Sequence, residues 1–294
     1  MYTTIFRSTF ARIVALAALA AVAVFATSSS AATSVDKAAA ALVPANIKAK
    51  GTLIVAADAS YAPNEFIASD GHTVIGMDPD LANALFPLLG LKVKIVNATF
   101  GTIIAGMLGG KYDIGMSSFT DTKAREQQVN FVDYFEAGTS FFEKSSGGPT
   151  VTNLASICGL TVSVETGTTE RTDALGQAAK CTKAGKKPDT VLSFNTQTEA
   201  NLALHSGRAQ ISMADSPVAG YQVAQSHGAF KLVGESYGVS PYGIAVPKAD
   251  GTLDKAILVA LKQLVANGQY AAIMKKWGLQ SGSDTHPALN GAIS

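Results

Sequence analysis

Arg125 follows three small hydroxyl residues, Ser117, Ser118 and Thr120, which begin where the alternating segment Lys111-Tyr112-Asp113-Ile114-Gly115 runs out. Alternation of this kind reads as a strand emerging from a buried sheet. Hydroxyls and free backbone N–H groups at a strand-to-helix turn hold small anions. Arginine adds a planar fork that meets a carboxylate with two parallel charge-assisted hydrogen bonds. The chemistry this stretch predicts is carboxylate capture. A capped helix with a solvated arginine has the same pattern, so the assignment depends on what the rest of the chain brings to it.

The elements that must position these residues alternate between strand and helix. Residues 53–57 are a continuous apolar run, suited to a strand covered on both faces, and they open into a loop at 58–66. Asp70-Gly71 signals a hairpin. Residues 78–89 carry apolar side chains at helical spacing behind Asp78 and Pro79. Gly90 ends that segment, 93–95 begin the next strand, and a helix follows at 102–108. Past a break rich in Glu, Lys, Ser, Gly and Pro at 141–150 the rhythm restarts. It gives strands at 160–164, 190–194 and 210–213 and helices at 169–180, 196–206 and 217–226. A second break at 234–241 precedes a strand at 242–246 and two helices within 253–277, separated near Gly268. This order predicts an α/β fold with parallel strands. Ligands of open α/β sheets bind beyond the carboxyl ends of strands, and Asp58, Tyr61, Ser117, Ser118, Thr168, Thr169 and Asp215 all fall at such ends.

Four separated motifs carry a resemblance: Asp58-Ala59-Ser60-Tyr61-Ala62-Pro63, the stretch from Met116 to Arg125, Thr166-Gly167-Thr168-Thr169, and Ala214-Asp215-Ser216-Pro217. Together and in this order they make residues 51–279 resemble the family 3 extracytoplasmic solute-binding proteins, the polar amino acid receptors of bacterial ABC importers. The resemblance implies a two-lobed α/β fold of the periplasmic binding protein type, with parallel-rich sheets, flanking helices and two hinge crossings near 138–142 and 234–241. Lobe one then takes residues 51–139 and, after a return, 239–280; lobe two takes 140–238; 281–294 form a tail. The implied site is Asp58, Tyr61, Ser117, Ser118, Thr120, Arg125, Thr168, Thr169, Glu170 and Asp215. By the family pattern Arg125 grips the α-carboxylate with Thr120 and donors around Thr168 and Thr169. Asp215 accepts from the α-ammonium, with Ser118 beside it, and Tyr61 covers the ligand as an apolar lid. The implied partners are an amino acid and the membrane permease, and the implied state is a monomer.

The side chain of the ligand is left open. Asp58 and Glu65 suit a cation, Arg171 suits an anion, and Asn64, where the family usually carries Phe, predicts a more polar wall. Periplasmic dehydratases of aromatic amino acid precursors resemble the same fold, and in that alternative Glu170 is the candidate acid or base. His72, His205, His227 and His286 are scattered without metal-ligand or triad spacing. No metal or cofactor is expected. Gly109-Gly110-Lys111 fails the spacing of a phosphate loop.

Bulk properties agree. Residues 1–32 contain Arg7 and Arg12, an apolar core at 13–26 and a small-residue zone at 28–32, the pattern of an exported leader. Its apolar core is short for a membrane span, and no cysteine stands at the cleavage zone for lipid attachment. The expected destination is the periplasm. Residues 33–50, Ala-rich, read as a loose leader into the fold. Removing residues 1–32 takes the formal charge from +1 to −1, which offers no footprint for nucleic acid or an anionic membrane. Cys158 and Cys181 are the two cysteines. In an oxidising compartment an even pair suggests a disulfide, and two cysteines without a nearby histidine are too few for a metal.

Overall fold

The computed structural model describes residues 34–293; the exported leader expected at 1–32 lies outside them. The strands are β1 (Thr52–Ala57), β2 (Ser60–Tyr61), β3 (Glu65–Ile67), β4 (Val74–Ile75), β5 (Lys92–Asn97), β6 (Ile114–Gly115), β7 (Val129–Lys144), β8 (Thr161–Glu165), β9 (Thr190–Phe194), β10 (Ile211–Asp215) and β11 (Phe230–Pro247). Eight of them form one sheet in the order β5-β1-β6-β11-β7-β10-β8-β9, and β2, β3 and β4 form a small antiparallel sheet. The helices are α1 (Lys37–Leu42), α2 (Ala45–Lys50), α3 (Met77–Leu85), α4 (Ile103–Leu108), α5 (Lys123–Glu126), α6 (Thr169–Lys183), α7 (Gln197–Ser206), α8 (Ser216–Gln225), α9 (Leu253–Ala266) and α10 (Gln269–Trp277).

Two lobes share the large sheet. In lobe one β1 runs parallel to β5 and β6, and Leu53, Val55, Leu81, Phe86, Ile257 and Leu261 are buried in its core. In lobe two β8 runs parallel to β9 and β10, over a core that includes Phe141, Ile157, Val162, Val164, Ile211 and Met213. The two strands that pass from one half to the other are β7 and β11, paired antiparallel from Val129 opposite Pro247 to Lys144 opposite Phe230. A two-stranded ribbon is the covalent and hydrogen-bonded link between the lobes, and its geometry suits bending.

That ribbon differs from the sequence expectation in both strands, and residues 141–144 of the break expected at 141–150 lie inside β7. Residues 234–241, read as a composition break, lie inside β11. Register shifts between Val233 and Tyr237 and between Tyr237 and Ser240 take up the irregular backbone, with Gly234 and Gly238 at φ of 65° and 64°. Glycine supplies the positive φ that such bulges need, so composition alone does not separate a bulged strand from a loop.

Residues 34–50 also differ from the loose leader expected at 33–50. Alanine has the highest helix propensity, and Asp36 caps α1 by accepting from Ala38 and Ala39 N–H at 2.8 and 3.0 Å. Ala39, Val43 and Ile47 are buried in the lobe one core. At the other end, residues past α10 lie along β7 through bridges at Phe135–Ser283 and Val132–Leu289. Cys158 and Cys181 are joined, Cα to Cα 5.7 Å, tying the residues before β8 to α6.

The candidate interlobe site

The first motif leaves the end of β1. Asp58 accepts from Ser60 N–H and Oγ–H at 3.1 and 2.6 Å, and from Phe100 N–H at 2.8 Å. These three bonds fix its carboxylate at the floor of the cleft. The second motif leaves β6, where Ser118 takes a left-handed φ of 49°, uncommon for a residue with a Cβ. The strain follows from what the two serines serve. Ser117 Oγ accepts from Asp58 N–H at 2.8 Å and donates to Glu65 at 3.0 Å. Ser118 N–H donates to Asp78 Oδ2 at 2.7 Å, and its Oγ accepts from Asn64 Nδ2 at 2.9 Å. Both serines thus brace side chains of lobe one while lining the cavity.

Glu65 and Asp78 are buried together, and burial pushes both above the usual carboxylate range. Tyr134 Oη donates to Asp78 at 2.6 Å in addition to the Ser118 N–H. Donors of this kind favour the charged form and act against the upward push of burial on Asp78. Asn64 is fully buried beside Ser118 and does not line the cavity; the polar wall expected there is internal support.

Lobe two supplies the opposite wall. Thr168 caps α6: its hydroxyl accepts from Arg171 N–H at 3.2 Å and donates to the Glu165 carbonyl at 2.8 Å. The N–H groups of Thr169 and Glu170 belong to the first turn, which no intrahelical carbonyl can satisfy. Glu170 accepts from Thr139 Oγ1 at 2.9 Å and Thr169 Oγ1 at 3.2 Å. Asp215 ends β10. Arg171 points elsewhere, donating from Nε to Ser193 Oγ at 3.0 Å, and is no part of the cavity lining.

The lobes are closed on one another. Tyr61 Oη donates to Asp215 Oδ2 at 2.9 Å and accepts the Asp215 N–H at 3.0 Å. Gln197 N–H donates to Ser60 Oγ at 3.0 Å. Arg125 spans the rim, donating to the Thr120 carbonyl at 2.7 Å and the Gly167 carbonyl at 2.9 Å. Its guanidinium lies 5.4 Å from the ring centroids of both Phe100 and Phe119, which stack on each other 4.5 Å apart, so the fork packs against the stacked pair. The backbones meet at Gly101 and Gly167, where a Cβ on Gly167 would stand 2.7 Å from Gly101 Cα.

Closure leaves only a small, nearly filled space between the lobes. Asp58, Tyr61, Ser117, Ser118, Thr168, Glu170 and Asp215 line it, joined by Glu65, Phe100 and Glu165. Phe100 and Glu165 escaped the sequence reading. Thr120 and Thr169 face an adjoining space that shares Asp215, and Arg125 stands at the rim. Burial pushes Asp215 well above the usual carboxylate range, and Glu170 beside it adds to the effect. Burial does the same to Glu165, helped by Asp58.

Comparison with known proteins agrees with this geometry. Residues 53–280 match the family model of the bacterial extracellular solute-binding proteins, family 3. The arginine-binding protein ArgT of Corynebacterium glutamicum is 35% identical over 82% of this chain and 79% of its own length. An ancestral arginine-binding protein bound to glutamine is 35% identical, with a TM-score of 0.70 over 78% of this chain and 98% of that one. An ancestral amino acid-binding protein that is a precursor of cyclohexadienyl dehydratase is 32% identical, with a TM-score of 0.71 over 79% of this chain and 97% of that one. These relatives are binding proteins, and the chain is a binding protein, not an enzyme. It belongs to the bacterial extracellular solute-binding proteins, family 3.

Proposed function

We propose that the protein captures a polar α-amino acid between its lobes and presents it, by hinge closure, to the membrane subunits of an ABC importer. The observation that carries this reading is the pairing of Arg125 at the rim of the cleft with the buried, cation-free Asp215 on the lobe two wall. An α-amino acid has one carboxylate and one ammonium, and this pair matches them. The ligand carboxylate takes the unspent guanidinium donors of Arg125 and the free N–H groups at the start of α6. The ammonium is taken by Asp215, with Glu170 alongside. Tyr61 is a polar latch as well as a cover, because its hydroxyl already joins Asp215 across the cleft.

Contacts drawn from both lobes favour the closed state, and a ligand shifts the hinge only by its differential affinity for closed over open. Thermal melting of the protein, stripped of carried-over ligand, against each common amino acid tests the reading. A ligand that binds only the folded state stabilises it by about 2.7 kcal/mol at a hundred times its dissociation constant. No shift with any amino acid overturns it.

A further inference from the structure

An α-amino acid with a neutral side chain would use Arg125, Asp215 and Glu170 and leave the rest of the cavity's charge unanswered. The lining has five carboxyl groups, from Asp58, Glu65, Glu165, Glu170 and Asp215, and neither a lysine nor an arginine. Among the described residues none of the five takes part in a salt bridge. Glu65 is answered from within lobe one by Ser117 and Ser118. Glu165 is not: it is 2% exposed, it lines the cavity, and its Oε1 has no hydrogen-bond partner. It stands at the end of β8 in lobe two, and Asp58, at the end of β1 in lobe one, meets it across the cavity.

We propose that Asp58 and Glu165, one from each lobe, form a clamp for the cationic side chain of the amino acid and make closure of the cleft conditional on that cation. This rests on the amino acid reading above. Closing the lobes brings two carboxyl groups together in a dry cavity. Two like charges there repel strongly, and an unpaired buried carboxylate is costly. Asp58 is held rigidly by its three donors, so it cannot turn away. A guanidinium or ammonium between the two converts the repulsion into two attractions, one to each lobe, and so contributes only to the closed state. Without it, closure requires a proton. Burial and then the neighbouring Asp58, with Glu170 and Asp215 adding to them, push Glu165 well above the usual carboxylate range. Tyr61 lies in the same field. Arrival of a cation reverses that balance, and Glu165 gives its proton to solvent as the ligand binds.

Calorimetry on the purified, ligand-stripped protein with arginine, lysine, citrulline and glutamine tests the clamp. Citrulline has nearly the shape of arginine without its charge. The expected result is binding of arginine or lysine at least roughly 100-fold tighter than of citrulline or glutamine. Arginine titrations in two buffers of different ionisation enthalpy should show release of a proton. In Glu165→Gln that release disappears and the preference for arginine over citrulline shrinks by about tenfold or more; Asp58→Asn shrinks the preference as well. The melting temperature of each variant, and its titration with both ligands, separates lost clamping from lost folding. Citrulline or glutamine binding within threefold of arginine overturns the clamp and leaves the amino acid reading standing. Undiminished preference or proton release in a folded Glu165→Gln also overturns it. Binding of no amino acid overturns the reading and the clamp together.

Discussion

Tyr61 of lobe one and Asp215 of lobe two exchange two hydrogen bonds, hydroxyl to carboxylate at 2.9 Å and backbone N–H to hydroxyl at 3.0 Å. One phenol thus joins the lobes and supports the carboxylate assigned to the ammonium. Tyr61→Phe keeps the ring and removes both bonds. A hydrogen bond contributes about 0.5–1.5 kcal/mol net, so the variant should favour the open form by an amount of that order. Small-angle scattering of the ligand-free protein should show a larger radius of gyration than the parent, and an unchanged radius would remove Tyr61 from the hinge balance.

Arg125→Ala and Arg125→Lys separate charge from geometry. The fork reaches the Thr120 and Gly167 carbonyls and packs against the stacked Phe100 and Phe119 rings, which a lysine cannot reproduce. Loss of one member of a buried charge pair costs roughly 3–5 kcal/mol, so Arg125→Ala should lose measurable binding by calorimetry. Arg125→Lys should fall between it and the parent. Micromolar binding by Arg125→Ala would show that another group holds the carboxylate.

The disulfide is a fold element remote from the cavity. It closes 23 residues of sequence separation, and a loop of that length contributes on the order of 3 kcal/mol in the chain-entropy model. Cys158→Ser with Cys181→Ser should lower the urea midpoint while leaving ligand affinity unchanged at a temperature where the fold persists. A parallel loss of affinity would place the bridge in the binding equilibrium.

Much of this was legible in the sequence, and the gaps have physical causes. The α/β rhythm, the break at Gly268 and the hairpin at Asp70-Gly71 come from local chemistry, and the structure has them. Asp58, Tyr61 and Asp215 stand at strand ends and converge. Glu165 was passed over because the predicted strand stops at residue 164, and its meaning arises only when Asp58, more than a hundred residues away, closes on it. Ser117 and Ser118 line the cavity, but a hydroxyl run signals hydrogen bonding without naming its recipient, and their hydroxyls also donate to Glu65 and Asp78. Arg171 is near Glu170 in sequence, but the turn of α6 sends the two side chains to different surroundings.

A second acidic pair makes stability depend on pH. Asp121 and Asp133 lie buried between β7 and the C-terminal segment, where Gly291 N–H donates to Asp133 at 2.9 Å. Both Asp121 oxygens lack partners. Burial, then the Asp133 charge, pushes Asp121 to about 7; burial pushes Asp133 to about 6. The unfolded value is near 3.9, so between about pH 4 and 7 the folded state binds more protons than the unfolded one. Stability from this pair is full below pH 4 and falls as pH rises towards 7. Asp121→Asn should flatten that fall, raising the urea midpoint at pH 8 more than at pH 5. An equal rise at both would remove the titration from the argument.

Closure itself can be blocked without touching a charged group. Gly101 of lobe one and Gly167 of lobe two let the backbones approach so closely that a Cβ on Gly101 would stand 3.1 Å from the Thr166 carbonyl oxygen. Gly167 has φ of 90°, so a substitution there strains its own backbone and confounds the test. Gly101 carries no such constraint, and Gly101→Val adds bulk that meets lobe two only when the cleft shuts. The open form of the variant should fold with the parent's stability, while a ligand that needs both lobes should bind at least about tenfold more weakly, a penalty of about 1.4 kcal/mol on closure. Scattering with saturating ligand should show less compaction than in the parent. Parent-like affinity and compaction in Gly101→Val would mean that the lobes tolerate a gap at this contact, and that ligand capture does not depend on the full closure seen here.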